Sequence, residues 1–372
     1  LSAFLVSLPV HAAVVTVDVT TKAVNPQARG ITVVYRTELG EKTIELDVSR
    51  KAEITVNGKE GTLDSLGPGL KAKVSYDREL AIVTKIAATG TASERKSPEL
   101  VEASELSPGW YPWVSEDGLT VYWERERTIW TASRKDAQSY FESQKPLFKG
   151  RCPTISSDGL EMVFLWERTL NDGEVSLYVT TREAADIPWK RAVEIPELHD
   201  AKFPAYPCLS DDGLTLYFSS RLFHIKSKEA RGGWWKGELM YTTRKNRNSP
   251  WSPPKPLPVS RHTDGCITYP HVVSGGLTMF CVNCREAPGG FVGQLMQYSR
   301  ASVNEPFVQG KLIDLKNLPQ LSVATPRYIA ATNELFVTRR PLPQDPVKTM
   351  GIWIIRNFVS PIDIRGSRTL RE

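Results

Sequence analysis

The residues that could do chemistry are few and scattered. Apart from His11, the histidines are His199, His224, His262 and His271, with Asp264 close to the last two. Imidazole and carboxylate are the usual ligands of divalent metals, so His199, His224, His262 and His271 are the metal candidates, although their spacing matches no standard zinc motif. Cys281-x-x-Cys284 has the spacing of a redox pair, but such pairs need a helix N-terminus to stabilise the thiolate. This one falls in a strand-like run, which favours a structural reading. A glycoside hydrolase needs two carboxylates facing across a cleft, about 5 to 10 Å apart. Glu124, Glu167, Asp264 and Glu286 are candidates, and nothing in the sequence selects a pair. Arg125, Arg168, Arg221, Arg285 and Arg339 recur at equivalent places. A ring of them would suit a carboxylate, sulfate or phosphate; the alternative is pairing with backbone or acids of the next repeat. Trp234-Trp235 could stack on a sugar face or cover a sheet edge. No nucleophile motif or phosphate loop occurs.

These residues sit on a repeat. "YPCLSDDGLTLYFSSR", Tyr206 to Arg221, reads as strand, Asp-Gly turn, strand. Its echoes are "WVSEDGLTVYW" after Pro112, "TISSDGLEMVFLW" after Pro153, "HVVSGGLTMFC" after Pro270 and "RYIAATNELFV" after Pro326, at spacings of 41, 54, 63 and 56 residues. A third strand ends in Arg134, Arg182, Arg244, Arg300 and Arg356. A Pro-aromatic pair often opens a fourth: Pro188-Trp189, Pro250-Trp251, Pro306-Phe307. A period near 50 residues marks the four-stranded blade of a propeller. The count is five, or six if the insertion near Gly232 hides a hairpin. "PELVEASEL", ahead of the first unit, is expected to supply the outer strand of the last and so close the ring.

Ahead of the repeat, residues 14–90 read as six short strands: "VVTVDVT", "GITVVYRT", "KTIELDV", "AEITVNGK", "AKVSY" and "LAIVTKI". Asn57-Gly58 is a hairpin signal. Closure into a small β-barrel would remove the sheet edges. The polar segment 91–97 reads as a linker, 98–360 as the propeller and 361–372 as a tail. Residues 1–13 are apolar up to Val10-His11-Ala12, the pattern of the end of a signal peptide. The chain is therefore expected to be exported, periplasmic or extracellular. No later run could span a bilayer as a helix. Lys plus Arg (47) nearly balances Asp plus Glu (42), and the signs are mixed, so no nucleic-acid surface is implied.

The units "P-x-x-S-x-D-G-x-x-x-x-F" and "L-Y-x-x-x-R" resemble the WD40-like (PD40) repeats of TolB-type propellers over about Pro98 to Ile355. Units four and five depart from them, with Ser274-Gly275-Gly276 and Ala331-Thr332-Asn333 in place of Asp-Gly. "LDSLGPGLKAKVSYDRELAIVTKI" resembles small OB-like or SH3-like barrels of secreted bacterial proteins. The resemblance implies an all-β chain with a binding or scaffolding role and a protein or glycan ligand on the channel mouth. A lyase or hydrolase acting on an acidic glycan is the competing reading. No cofactor is implied beyond the candidate metal.

Three geometric expectations follow. Asp117, Asp158 and Asp212 should brace Arg134, Arg182 and Arg244 of their own units. The residues after each repeat Pro, which are Trp113, Thr154, Cys208, His271 and Arg327, vary while their neighbours repeat. They should face the channel, free of any role in building the blades, with Trp113, His271 and Arg327 as ligand-binding candidates beside the arginine ring and the Trp pair. Finally, pairing outward from Gly275-Gly276 sets Ile267 opposite Cys284 and leaves Cys266 one residue away, a disulfide candidate in an exported protein.

Overall fold

The computed structural model describes residues 14–25, 29–37, 40–67, 69–90, 98–167, 175–199, 201, 204–225, 234–259, 266–273, 275–287, 290–313, 322–340 and 350–358. The expected leader, linker and tail lie outside them. Strands dominate, and among the described residues there are three short 3-10 turns and no α-helix. The chain divides into two compact units, residues 1–96 and 97–372.

The first unit contains β1 (Val14–Asn25), β2 (Gly30–Thr37), β3 (Gly40–Val56), β4 (Lys59–Glu60), β5 (Lys71–Asp77) and β6 (Ile82–Thr89). They pair in the order β2-β1-β5-β6-β3-β4, and β3 also pairs with β2, so the hydrogen bonding returns on itself. Two of the expected strands, "KTIELDV" and "AEITV", are one strand. A shift between Val48 and Glu53 bends β3, letting it serve β2 with one half and β6 with the other. Asn57 (φ 53) and Gly58 (φ 76) make the tight turn their types require. Ile31, Val33, Leu70, Val74, Val83 and Ile86 fill the interior.

The second unit contains five four-stranded antiparallel sheets among its described residues. Its strands begin with β7 (Glu99–Glu102). Sheet 1 is β8 (Trp110–Val114), β9 (Thr120–Arg125), β10 (Thr128–Ser133) and β11 (Glu142–Lys149). Sheet 2 is β12 (Arg151–Ile155), β13 (Glu161–Glu167), β14 (Val175–Thr181) and β15 (Val193–Glu194). Sheet 3 is β16 (Pro204–Leu209), β17 (Thr215–Ile225), β18 (Trp234–Thr243) and β19 (Lys255–Pro256). Sheet 4 is β20 (Cys266–Val273), β21 (Thr278–Ala287), β22 (Gly290–Ser299) and β23 (Val308–Leu312). Sheet 5 is β24 (Ser322–Ile329), β25 (Glu334–Arg340) and β26 (Gly351–Arg356), with β7 as its outer strand. The first strands touch in cyclic order, β8 to β12, β16, β20, β24 and back to β8. The insertion near Gly232 lengthens β17 and β18, since Ile225 pairs with Trp234 and His224 with Trp235. This architecture is that of a β-propeller.

The repeated Ser, Asp, Gly and Arg build the sheets, though not as the sequence suggested. Ser115, Ser156 and Ser210 each donate to the Asp two residues on, at 2.5 to 2.6 Å, and each Asp accepts the N–H of Leu119, Leu160 or Leu214. The arginines pass over these carboxylates. Nε of Arg134, Arg182, Arg244 and Arg300 donates to the carbonyl of the turn glycine, Gly118, Gly159, Gly213 and Gly276, at 2.6 to 2.9 Å. Each guanidinium lies 4.3 to 4.7 Å over Phe141, Trp189, Trp251 or Phe307. The Asp117–Arg134, Asp158–Arg182 and Asp212–Arg244 pairs are therefore replaced. The Asp is held at Oδ1 by its own turn, and the Arg reaches back to the preceding sheet. Arg134 pairs with Glu334 and Arg244 with Glu161, while Arg182 and Arg300 meet the hydroxyls of Tyr122 and Tyr217. These partners are the first or third residues of a second strand, which share one face because strand side chains alternate. Asp158 also pairs with Arg247 of sheet 3, at 2.5 Å.

In sheet 4 the Tyr269-Pro270 step interrupts pairing between Thr268 and His271, and the register beyond it moves by one. Ile267 is therefore opposite Asn283, and Cys266 is directly opposite Cys284. Neither is disulfide-bonded; Cys266 Sγ meets the Gly237 amide at 3.2 Å.

Candidate ligand site

Every sheet treats its first strand alike. The residue before the repeat Pro has a left-handed backbone: Tyr111 (φ 54), Cys152 (φ 51), Tyr206 (φ 54), Tyr269 (φ 56) and Thr325 (φ 49). Proline disfavours helical conformations in the residue before it. The left-handed region costs a non-glycine residue about 1–2 kcal/mol. The same strain is thus held five times. Proline has no N–H for the ladder, and in each sheet pairing skips the X-Pro step, as between Trp110 and Trp113 or Ala324 and Arg327. The resulting bulges turn fifteen residues, three from each sheet, onto one small cavity that is partly open to solvent. They are the X-Pro-X triplets centred on Pro112, Pro153, Pro207, Pro270 and Pro326.

Trp113, Thr154, Cys208, His271 and Arg327 all line this cavity. They are not free of a role in building the ring. Thr154 Oγ1 accepts from Leu209 N–H at 3.0 Å, and Cys208 Sγ accepts from Val272 N–H at 3.4 Å. His271 Nε2 lies 3.3 Å from the Tyr328 carbonyl, and Arg327 Nε donates to the Val114 carbonyl at 3.0 Å. Trp113 shares an apolar cluster with Ile155. Each side chain therefore reaches the equivalent residue of the following sheet, and Arg327 closes the circle from sheet 5 to sheet 1.

One lining residue carries a fixed charge. Burial, and secondarily Arg327, push the His271 pKa well below its usual value, so the ring is neutral. Its Nδ1 accepts from Arg327 Nη1 at 3.2 Å, which leaves the proton on Nε2 for the Tyr328 carbonyl. Burial raises the Cys208 thiol to about 11, so it too is neutral. Arg327 lies 4.8 Å over the Trp113 ring. Toward the other end, Tyr111, Tyr206 and Tyr269 form a file with centroid separations of 5.8 and 4.1 Å. These tyrosines are not among the sequence candidates, which follow the prolines; their signal is the Tyr-Pro pair of units one, three and four.

The other candidates lie elsewhere. Arg125 donates to the Glu105 carbonyl at 3.4 Å and sits over Trp123 and Trp130; Arg339 is buried over Trp353. Neither lines the cavity. Arg285 is exposed beside β22. Arg168 lies outside the described residues, as do the side chains of Arg221, Trp234 and Trp235. His199 pairs with Glu194 at 3.2 Å. Both ring nitrogens of His271 are engaged, which removes it as a metal ligand. His262 and the side chain of His224 are not described, and no cluster of three metal-ligating side chains occurs among the described residues. Of the four carboxylates, Glu124 is taken by Arg151, at 3.3 Å, and by the Arg127 N–H. Asp264 and the side chains of Glu167 and Glu286 lie outside the described residues.

No protein family and no curated protein matches the sequence. Solved structures do resemble the chain. TolB from Acinetobacter baumannii shares 11% identity over 89% of this chain and 64% of its own, with a TM-score of 0.39. The native arabinanase of Bacillus subtilis shares 12% over 69% of this chain and 94% of its own, at 0.46. The Trichoderma reesei enzyme of carbohydrate-active family AA12 shares 11% over 94% and 99%, at 0.38. No residue role is transferred from them.

Proposed function

We propose that the protein is an exported, five-bladed, WD40-like propeller carrying a small N-terminal barrel, and that it serves as a binding or scaffolding module. Its ligand, a protein or a glycan, enters the axial cavity. The observation that carries this reading is the fivefold repetition of a strained X-Pro bulge around one cavity. Strain held at every symmetry-related position is kept where the surrounding structure uses it, and binding sites are where such outliers cluster. The leader-like pattern of the first residues supports export. The five sheets in cyclic contact, with β7 completing the last, support the blade count, and the closed pairing of β1 to β6 supports the barrel.

The enzymatic alternative is weaker. Hydrolysis of a glycan calls for two facing carboxylates. Among the described residues the cavity is lined by no Asp or Glu, and Glu124 is already held by Arg151. Fold alone does not separate the two readings; the described lining favours binding.

The test uses fluorotryptophan-labelled protein, with the Trp113 resonance assigned through Trp113→Phe. Peptides and uronic-acid oligosaccharides are titrated while all the tryptophans are followed by fluorine NMR. A binder is expected to shift Trp113 first. Binders that move only the other tryptophans would place the site off the axis.

A further inference from the structure

Arg327 is built into the cavity wall on three sides. Its ring-like face lies on Trp113, its Nε is bonded to the Val114 carbonyl and its Nη1 to His271 Nδ1. Nη2 makes no hydrogen bond among the described residues. The other polar groups of the wall are committed: Thr154 to Leu209, Thr325 to Thr338 at 2.7 Å, Cys208 to Val272, and both nitrogens of His271. The rest of the lining is five prolines, three tyrosines, Cys152 and an indole, with the Tyr111 hydroxyl accepting from Arg151 at 3.5 Å. Asp211 and Glu116 act on Arg327 through space, but neither lines the cavity, and Asp211 accepts the Gly275 N–H. The cavity therefore offers one positively charged edge, fixed in direction, among proline and aromatic ring faces. A planar guanidinium held in this way suits a carboxylate oxygen better than a neutral acceptor. Pyrrolidine and aromatic faces, with the threonine, thiol and imidazole groups between them already bonded, suit a body with apolar faces better than a heavily hydroxylated one.

We propose that the axial cavity recognises a free carboxylate attached to an apolar body, the chemistry of a peptide's C-terminal residue, with the carboxylate on Nη2 of Arg327. This rests on the axial cavity being the binding site.

N-acetyl-phenylalanine, its amide and galacturonic acid are the probes, titrated into the full chain at millimolar concentration with calorimetry and the Trp113 fluorine signal as readouts. The acid is expected to bind and to shift Trp113. The amide should bind at least about tenfold more weakly, the factor one charge-assisted hydrogen bond contributes. Galacturonic acid should bind more weakly than either. Arg327→Gln should abolish the preference for acid over amide, and Arg327→Lys should keep part of it. Arg327 also joins two sheets, so if Arg327→Gln does not fold, the comparison of acid with amide on the unaltered chain decides alone. Equal binding of acid and amide with Trp113 shifted overturns the carboxylate proposal and leaves the cavity reading standing. Tighter binding of galacturonic acid overturns the apolar body. Binding by none of the three overturns the proposal, and binding without a Trp113 shift overturns the cavity reading beneath it.

Discussion

Arg134 of sheet 1 and Glu334 of sheet 5 form a buried ion pair across the seam where the last sheet meets the first, with side chains 0% and 2% exposed. Glu334 also faces Arg356 at 3.6 Å. Removing one partner of a buried pair leaves a charge without compensation, which costs about 3–5 kcal/mol. Glu334→Ala should therefore lower stability by that amount in urea titrations. Arg134→Met with Glu334→Leu should recover most of it, since well-packed apolar replacements of buried pairs are often neutral. A single variant within about 1 kcal/mol of the parent would mean that the seam does not depend on this pair.

The turn glycines should differ in their tolerance of a side chain. Gly118 has φ 77, and a Cβ there would lie 2.8 Å from Thr332 and 3.3 Å from Arg134 Nη2. Gly275 has φ 62 but open space around it. Gly275→Ala should cost about 1–2 kcal/mol, the left-handed penalty alone. Gly118→Ala should cost more, because Thr332 must also move aside and Arg134 must give way slightly. Equal losses in thermal melts would mean that the seam around Gly118 absorbs the added methyl freely.

Directly opposed residues of an antiparallel pair have α-carbons about 4.5 or 5.5 Å apart, and either distance is within disulfide range. Cys266 and Cys284 should therefore couple when the folded protein is treated with diamide, a two-electron thiol oxidant, which takes up the two hydrogens released. Peptide mapping without reduction should show a 266–284 crosslink. Cys208 and Cys281 face Tyr217 and Met296, and Cys152 lies in the unpaired X-Pro step, so none of the three has a cysteine opposite and all should stay reduced. Recovery of both Cys266 and Cys284 as thiols would exclude the bond.

His271 should show no titration step near its usual value, because burial and then Arg327 hold its folded pKa well below it. The unfolded chain takes up this proton at about 6.5. Between the two values the unfolded state binds more protons, so this contribution to stability is present above about 6.5 and is lost as pH falls toward the folded pKa. His271→Gln should flatten the acid limb of a plot of stability against pH. An imidazole signal from His271 titrating in the folded protein near 6.5 would contradict the buried neutral ring.

Much of the scaffold could be read locally. Asn57-Gly58, the Asp-Gly turns and the strand alternations are encoded by neighbours in sequence, and the structure places hairpins on them. The strand "ELVE" was legible as the partner of β26 because a repeat that begins one strand short has a strand to lend. What crosses between repeats was not legible. The sequence shows that Arg134 and Asp117 recur together but not that the Asp turns to Ser115 and Leu119, nor that the carboxylate for Arg134 lies two hundred residues away at Glu334. The half-fusion of β3 and the one-residue register change before Cys266 were hidden for a related reason: a bulge depends on the strands on both sides of it.

The cavity shows the division most plainly. The five prolines, and the variety of the residues after them, are properties of the sequence alone, and they were enough to direct Trp113, His271 and Arg327 to one place. Whether those side chains were idle or engaged was decided by the tertiary structure. Only when sheet 5 closes on sheet 1 does Arg327 gain the Val114 carbonyl and the Trp113 face, and only packing against Arg327 and Tyr328 keeps His271 neutral. Local types and spacings determine turns and strands because those depend on neighbouring residues. The charge, direction and commitment of a side chain at the axis depend on contacts between residues far apart in the chain, which exist only once the ring is closed.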